Sequence, residues 1–229
     1  MPAFGPTVTL LVLLVAVDFI FIAIHALHSW SPLFAGWHFS LESGNGLAAI
    51  YQYIKEVWLA GCLALAFLQT RAKVFVGWTL LFAFLLLDDA LELHERFGAI
   101  VAVAWNLPAI FGLRPADLGE IIVAAGIGCA ALALVTIAFR RGGHDARQLS
   151  ADLMCLLVAL ALFGVFFDML HTITYFHAPS VAQVFSLIED GGEMLVVSAI
   201  TAYVFDLASN AGRPRVGVWV RVRAAVPRG

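Results

Sequence analysis

Long apolar runs repeat along this chain, and most are broken toward one end by acidic or histidine residues at helical spacing. A membrane-spanning helix needs about 20 predominantly apolar residues. Six segments meet that length, at roughly 8–28, 47–69, 74–97, 117–139, 151–175 and 183–208. The expected fold is therefore all-α. Six transmembrane helices pair as three antiparallel hairpins in one bundle over residues 1–208, followed by a basic tail at 209–229. Asn45 is placed to cap the second helix, and Asp117 with Glu120 resembles a capping box on the fourth. Ser150 suits the start of the fifth, and Ser180 with Gln183, or Ser186 with Glu189, would cap the sixth. The N-terminus, MPAFGPTVTLLVLLV, lacks a basic leader and a clear small-residue cleavage site, so it reads as a retained helix.

Basic residues orient the spans. Arg71 and Lys73 lie between helices two and three, Arg140, Arg141 and Arg147 between four and five, and Arg213, Arg215, Arg221, Arg223 and Arg228 in the tail, together ten of the thirteen Lys and Arg residues. With six spans these segments share one side, which the positive-inside rule makes the cytoplasm, with both termini there. Asp145, Asp152 and Asp206 then fall on the cytoplasmic side and Asp18 near mid-membrane. The other twelve of the sixteen acids lie toward the outer face: Glu42, Glu56, Asp88, Asp89, Glu92, Glu95, Asp117, Glu120, Asp168, Glu189, Asp190 and Glu193. Of the seven histidines only His144 is cytoplasmic.

Residues three, four or seven apart share a helix face. Every helix carries such a polar stripe: Asp18 and His25, with His28 beside them; Gln52 and Glu56; Asp88, Glu92 and Glu95; Asp117 and Glu120; Asp168, His171 and Tyr175; Glu189 and Glu193. A weak internal repeat underlies them, since each outgoing helix has Asp and His and each incoming helix has Glu before an apolar run (EVWLAG, EIIVAAG, EMLVVSA). Glu42, His38 and His177 read as solvated loop residues, Asp117 as a helix cap, and Asp89 and Asp190 as groups off the main stripes. Lys55 would snorkel outward or neutralise Glu56, and Asp18 would be a lone protonated acid.

Depth makes the stripes costly. Asp88 is about 14 residues into its helix and Asp168 about 17; at about 1.5 Å per residue both remain within hydrocarbon. An ionised acid there costs about 2.5–3.5 kcal/mol. Lys55, Arg96 and Arg114 are too few to neutralise the set, which leaves protons, metal cations or a water-filled cavity. Mixed carboxylate and imidazole donors suit iron, manganese or zinc, and helical-bundle metal sites draw such ligands from several helices. The candidate ligands are His25, Glu56, Asp88, Glu92, Glu120, Asp168, His171, Glu189 and Glu193, with Glu92, Glu95, His94 and Tyr175 as catalytic groups. On an ideal helix His94 points about 120° away from Asp88.

Composition agrees: 229 residues, 62% hydrophobic and 13% charged, against about a quarter charged in soluble domains. The mean hydropathy is +0.94. Cys62, Cys129 and Cys155 show no CxxC spacing and read as core residues. The stretch LLLDDALELHERFG, through Leu87, Asp88, Asp89, His94 and Glu95, resembles a helix of uncharacterised bacterial multi-pass inner-membrane proteins with a Leu-Asp-Asp…His-Glu pattern. The resemblance implies a bacterial inner-membrane location and no activity.

Gly191 and Gly192 would permit close packing or local unwinding of the sixth helix, and the apolar stretch 97–115 would lie as a lid at the outer interface. No phosphate loop, dinucleotide fingerprint or nucleophile elbow is present, and the tail suits anionic lipid rather than nucleic acid. The expectation is a metal-dependent membrane enzyme, a hydrolase or oxidoreductase with a lipid-like substrate. The alternatives are a proton or divalent-cation transporter, a haem protein using His25, His94 or His171, and an assembly subunit of a membrane complex.

Overall fold

The structure, a computed structural model, describes residues 5–31, 34, 36–110, 113–141, 143–175 and 177–210. The basic tail lies outside the described residues. The elements are α1 (Pro6–Trp30), α2 (Leu47–Thr70), α3 (Val74–Leu91), α4 (Leu93–Ala104), α5 (Pro115–Arg141), α6 (His144–Ala161), α7 (Asp168–Tyr175) and α8 (Pro179–Ser209). A 3-10 turn at Trp37–Phe39 follows α1, and a π-helical segment, Leu162–Phe167, joins α6 to α7. No strand occurs among the described residues.

Among the described residues, five segments are long and apolar enough to cross a membrane: Pro6–Trp30, Val74–Leu91, Pro115–Ile137, His144–Tyr175 and Pro179–Ser209. Helix α2 has 24 residues but carries Lys55 and Glu56 in its interior, both buried. Helices α1 and α8 run in opposite directions, as do α2 and α3. Thr7 near the start of α1 donates to Asp206 near the end of α8, and Trp30 at the other end of α1 donates to Gln183 in the first turns of α8. Tyr53 of α2 likewise reaches the Asp89 carbonyl near the end of α3.

Helix α8 is the hub, packing on α1, α2, α6, α7 and the π segment. Around its C-terminal half lies the main apolar core, including Leu59, Leu63, Phe75, Trp78, Leu153, Ile200 and Val204, each at most 2% exposed. The polar groups gather around its N-terminal half. The bundle is thus divided along its length into a dry, packed end and a polar end.

Several local expectations change. The third helix does not run through 97: it breaks at Glu92, whose φ of 52° and ψ of 44° are left-handed, and restarts as α4. Left-handed geometry costs a non-glycine residue about 1–2 kcal/mol, so surrounding contacts must hold it. Asp88 supplies one of them, accepting the His94 backbone N–H at 2.8 Å and so capping the new helix. The first part of the stretch expected to form a lid, residues 97–104, belongs to α4, which packs along α5. That packing is close because two glycines meet: a methyl added to Gly119 would overlap the Gly98 carbonyl oxygen. The fifth helix begins at His144, and Ser150 is buried inside it, accepting the Trp78 indole N–H at 3.2 Å. Asn45 does not cap α2, since Gly46 occupies the cap position without a side-chain bond. Asp117 reaches back to the Arg114 backbone N–H at 2.7 Å, the acidic half of a capping box. Ser180 and Ser186 do not cap α8, which starts at Pro179 and runs unbroken through Gly191 and Gly192. A methyl on Gly192 would overlap the Phe163 ring, so this glycine serves packing, not unwinding.

Lys55 and Asp18 are corrected together. Lys55 neither snorkels nor pairs first with Glu56. Its Nζ, fully buried, donates to Asp18 Oδ1 at 2.9 Å, to the Met194 carbonyl at 2.9 Å and to Ser198 Oγ at 3.2 Å. It also lies 4.6 Å from the Tyr51 ring centroid. Ser198 in turn donates to Asp18 Oδ2 at 2.5 Å. A buried charge is tolerable when paired and fully hydrogen-bonded, and this knot ties α1, α2 and α8 together.

Candidate metal centre

Among the described residues, three of the cavities lie at the polar end of the bundle and share walls. The largest of these three, about 540 Å³, lies between α1, α7 and α8 and includes His25, His28, Glu42, His171 and Tyr175. A chamber of about 350 Å³ lies between α2, α4 and α8, with Gln52, Asp89, Glu92, His94, Glu95, Asp190 and Glu193 on its wall. A small cavity of about 60 Å³ lies between α5, the π segment and α7, lined by His94, Glu120, Gly164 and Asp168. Glu42 borders the first two and His94 the last two.

At the meeting of α7 and α8, Asp168, His171 and Glu189 each offer a ligand atom within 4.8 Å of the others. This is the only such group of three among the described residues. His171 Nδ1 lies 3.3 Å from Glu189 Oε2, yet that oxygen is buried and makes no hydrogen bond. Asp168 and His171 stand one turn apart on the same face of α7. What aims that face at α8 is the π segment immediately before it. A π turn accommodates an extra residue per turn and so rotates everything that follows; such segments recur at functional sites. The segment also lacks a side chain where one would obstruct. A methyl on Gly164 would overlap Glu193 Oε1, so the Glu193 carboxylate occupies the notch that Gly164 leaves.

The other expected site residues surround this triad without joining it. Glu120 lines the small cavity with Asp168, and both Glu120 and His94 are within electrostatic reach of Asp168. Glu193 lies within electrostatic reach of Asp89, Asp190, Glu189 and Asp168. Glu56 is buried at 6% exposure against Asp89 and Glu193. His25 braces the loop after α1 instead: its Nδ1 accepts the Leu41 backbone N–H at 3.0 Å, and Ser29 Oγ stands 3.4 Å from its Nε2. Asp88 is committed to His94, whose Nδ1 lies 3.0 Å from its Oδ2. His94 sits on α4, outside the apolar spans, and its hydrogen bond to Asp88 raises its pKa above 6.5 despite partial burial. Glu92 and Glu95 line the far wall of the chamber, with Glu92 3.8 Å from the Arg96 guanidinium. Tyr175 packs edge-on to His171 with centroids 6.1 Å apart and lines the largest cavity.

A family model described as a domain of unknown function (DUF8692) matches residues 7–207. The chain belongs to that family. No curated protein and no solved structure matches the chain.

The acids expected to form a repeated Asp, His and Glu pattern take different partners: Asp18 binds Lys55, Asp88 binds His94, and, among the described residues, Asp168, His171 and Glu189 close on one another. Two contributors were not legible in the amino-acid sequence. Glu42, expected to be a solvated loop residue, is exposed but held by Ser186 Oγ at 2.5 Å and borders both large cavities. Gly164 carried no signal, because nothing in the sequence LFGVFF distinguishes a π turn from an α turn.

Proposed function

We propose that this protein is a metal-dependent enzyme of a bacterial inner membrane, with its centre at Asp168, His171 and Glu189 and a lipid-like substrate. One observation carries the reading: three ligand atoms of mixed carboxylate and imidazole type, from two helices, converge within 4.8 Å. Two carboxylates and one imidazole leave coordination positions open on iron, manganese or zinc. Such an ion would activate water or oxygen. The neighbouring carboxylates of Glu120, Asp190 and Glu193 are placed to accept and pass protons.

In this reading α1, α2, α3, α5, α6 with α7, and α8 all cross the bilayer. The α2–α3 connection with Arg71 and Lys73, the α5–α6 junction with Arg140, Arg141 and Arg147, and both termini face the cytoplasm, while the triad faces the periplasm. The 540 Å³ cavity next to His171 would take the polar head of the substrate. Leu27, Trp30, Val181 and Val184, next in sequence to residues that line it, are 42–55% exposed and would offer apolar surface for acyl chains. The packed core around the C-terminal half of α8 supports an enzyme over a transporter, because among the described residues none of these three cavities is lined by that core.

The test is metal analysis of detergent-purified protein. The proposal expects about one transition-metal ion per chain, lost in Asp168→Asn and in His171→Ala while both variants remain monodisperse. Wild-type protein without stoichiometric transition metal, or variants that keep it, would overturn the reading.

A further inference from the structure

The 540 Å³ cavity between α1, α7 and α8 has a wall whose donors and acceptors are set by bonds to neighbouring groups. His28 Nδ1 meets the Phe34 carbonyl oxygen, which can only accept, so Nδ1 carries the proton and Nε2 of the neutral ring is an acceptor. His25 shows the opposite tautomer. Its Nδ1 accepts the Leu41 backbone N–H at 3.0 Å, so the proton of the neutral ring is on Nε2, 3.4 Å from Ser29 Oγ. His25 is only 3% exposed and acts through Ser29, whose oxygen receives that bond and whose own hydrogen is left to give. Ser40 Oγ accepts the Glu42 backbone N–H at 3.2 Å and likewise keeps its hydrogen. Gln183 Oε1 accepts the Trp30 indole N–H at 3.1 Å, which leaves the amide N–H groups as the donors of that side chain. Glu42 accepts from Ser186 at 2.5 Å, and an ionised carboxylate only accepts.

His28, Ser29, Ser40, Glu42 and Gln183 all line the cavity, so its wall offers three donor groups and two acceptor groups. Glu42 is the one carboxylate there, and no lysine or arginine is among the described lining residues. A phosphate brings acceptors and negative charge. It would leave His28 and Glu42 unanswered and set two anions against each other with no cation between them. An ammonium would match Glu42, yet it could not receive the bonds of Ser29, Ser40 and Gln183. A hydroxyl both gives and accepts, so several hydroxyls on one small skeleton answer both sets at once. Pro179 and Ala182 complete the lining with apolar surface for the carbons of such a skeleton. The volume lies within the range of about 300–1,000 Å³ of small-molecule pockets.

We propose that this cavity selects an uncharged, hydroxyl-rich head group, glyceryl or glycosyl, on a lipid substrate. Glu42 and His28 accept from its hydroxyls, and Ser29, Ser40 and Gln183 donate to them. The assignment rests on the reading of this cavity as the head-group pocket and does not depend on an ion at the triad.

The experiment is equilibrium binding of radiolabelled lipids to the full chain in a polyoxyethylene detergent, which carries no sugar. The probes are monooleoylglycerol, oleyl glucoside and oleoyl lysophosphatidic acid. The glyceryl or the glucosyl lipid is expected to bind saturably at about one per chain. The phosphate lipid is expected to bind about tenfold or more weakly. Glu42→Gln should weaken binding of the hydroxyl lipid several-fold and strengthen that of the phosphate lipid, whereas a structural loss would weaken both. Gln183→Leu, at an exposed position, should weaken binding of the hydroxyl lipid several-fold. Thermal unfolding checks that each variant is folded. The assignment is overturned if the phosphate lipid binds as tightly as the hydroxyl lipids, or if folded protein binds neither hydroxyl lipid saturably. Hydroxyl-lipid affinity unchanged by both substitutions, or equal weakening of both lipid classes by Glu42→Gln, overturns it as well. Free glucose or glycerol that displaces the lipids as well as an equal concentration of unlabelled lipid would overturn the attachment to a lipid. Metal content of the same samples is a separate readout. Hydroxyl-lipid binding without transition metal removes the metal centre and leaves this assignment standing, and metal without hydroxyl-lipid binding does the reverse.

Discussion

Replacing Lys55 by Met keeps most of the buried stem and removes the ammonium at the junction of α1, α2 and α8. The change takes away three hydrogen bonds at once and leaves Asp18 with Ser198 as its remaining bonded partner. At 2.9 Å and an effective dielectric of about 20, the gross attraction between the two charges is about 6 kcal/mol. Desolvation consumes part of that, and breaking a buried pair from one side typically costs about 3–5 kcal/mol. Removing both charges should cost much less, because no unpaired group is left behind. The expectation is therefore that Lys55→Met destabilises the bundle by about 3–5 kcal/mol, and that Asp18→Leu added to it restores most of the loss. Reversible unfolding of the four proteins of this double-mutant cycle in mixed detergent micelles, followed by circular dichroism, measures the coupling. A Lys55→Met variant within about 1 kcal/mol of wild type, or strictly additive effects, would show that the knot does not hold the three helices.

Gly164→Ala drives a methyl into the space held by Glu193 Oε1, so it should destabilise by about 1–3 kcal/mol as an overpacked site. Combining it with Glu193→Ala should relieve that clash; if the single change is silent in thermal unfolding, the notch is not occupied by Glu193. His94 should titrate above 6.5 because Asp88 accepts its proton. The stabilisation from that pair is then fully present below about pH 6.5 and fades as pH rises through the raised folded value. Imidazole NMR titration should show the value falling back in Asp88→Asn, and the wild-type minus Asp88→Asn difference in melting temperature should shrink toward alkaline pH.

Much of the architecture is written in the chain because the bilayer imposes a length and a polarity on every crossing segment. Five spans follow from apolar runs alone. Segment order makes spans that follow one another in the chain antiparallel. The grouping of acids at one end is also legible, since helical periodicity places each stripe at a depth that can be counted in residues. Asp168 and His171 share a face on any regular helix, so half of the triad is a local property of the sequence.

The rest was decided by contacts between segments distant in the chain. Asp88 and His94 point apart on a continuous helix, and they meet only because Glu92 is held left-handed and α4 packs on α5 through Gly98 and Gly119. Lys55 lies beside Glu56 in sequence but is captured by Asp18, 37 residues away, and by Ser198, 143 residues away, where a buried ammonium finds three acceptors. Asp168 and His171 become a triad with Glu189 because a π turn rotates α7 toward α8, and the room for that turn comes from Gly164 and Gly192 facing Glu193 and Phe163. Hydrophobic pattern reports which side of a helix avoids lipid. Which of several acids on that side meets which partner depends on backbone breaks and close packing, and those free energies exist only once the helices are together.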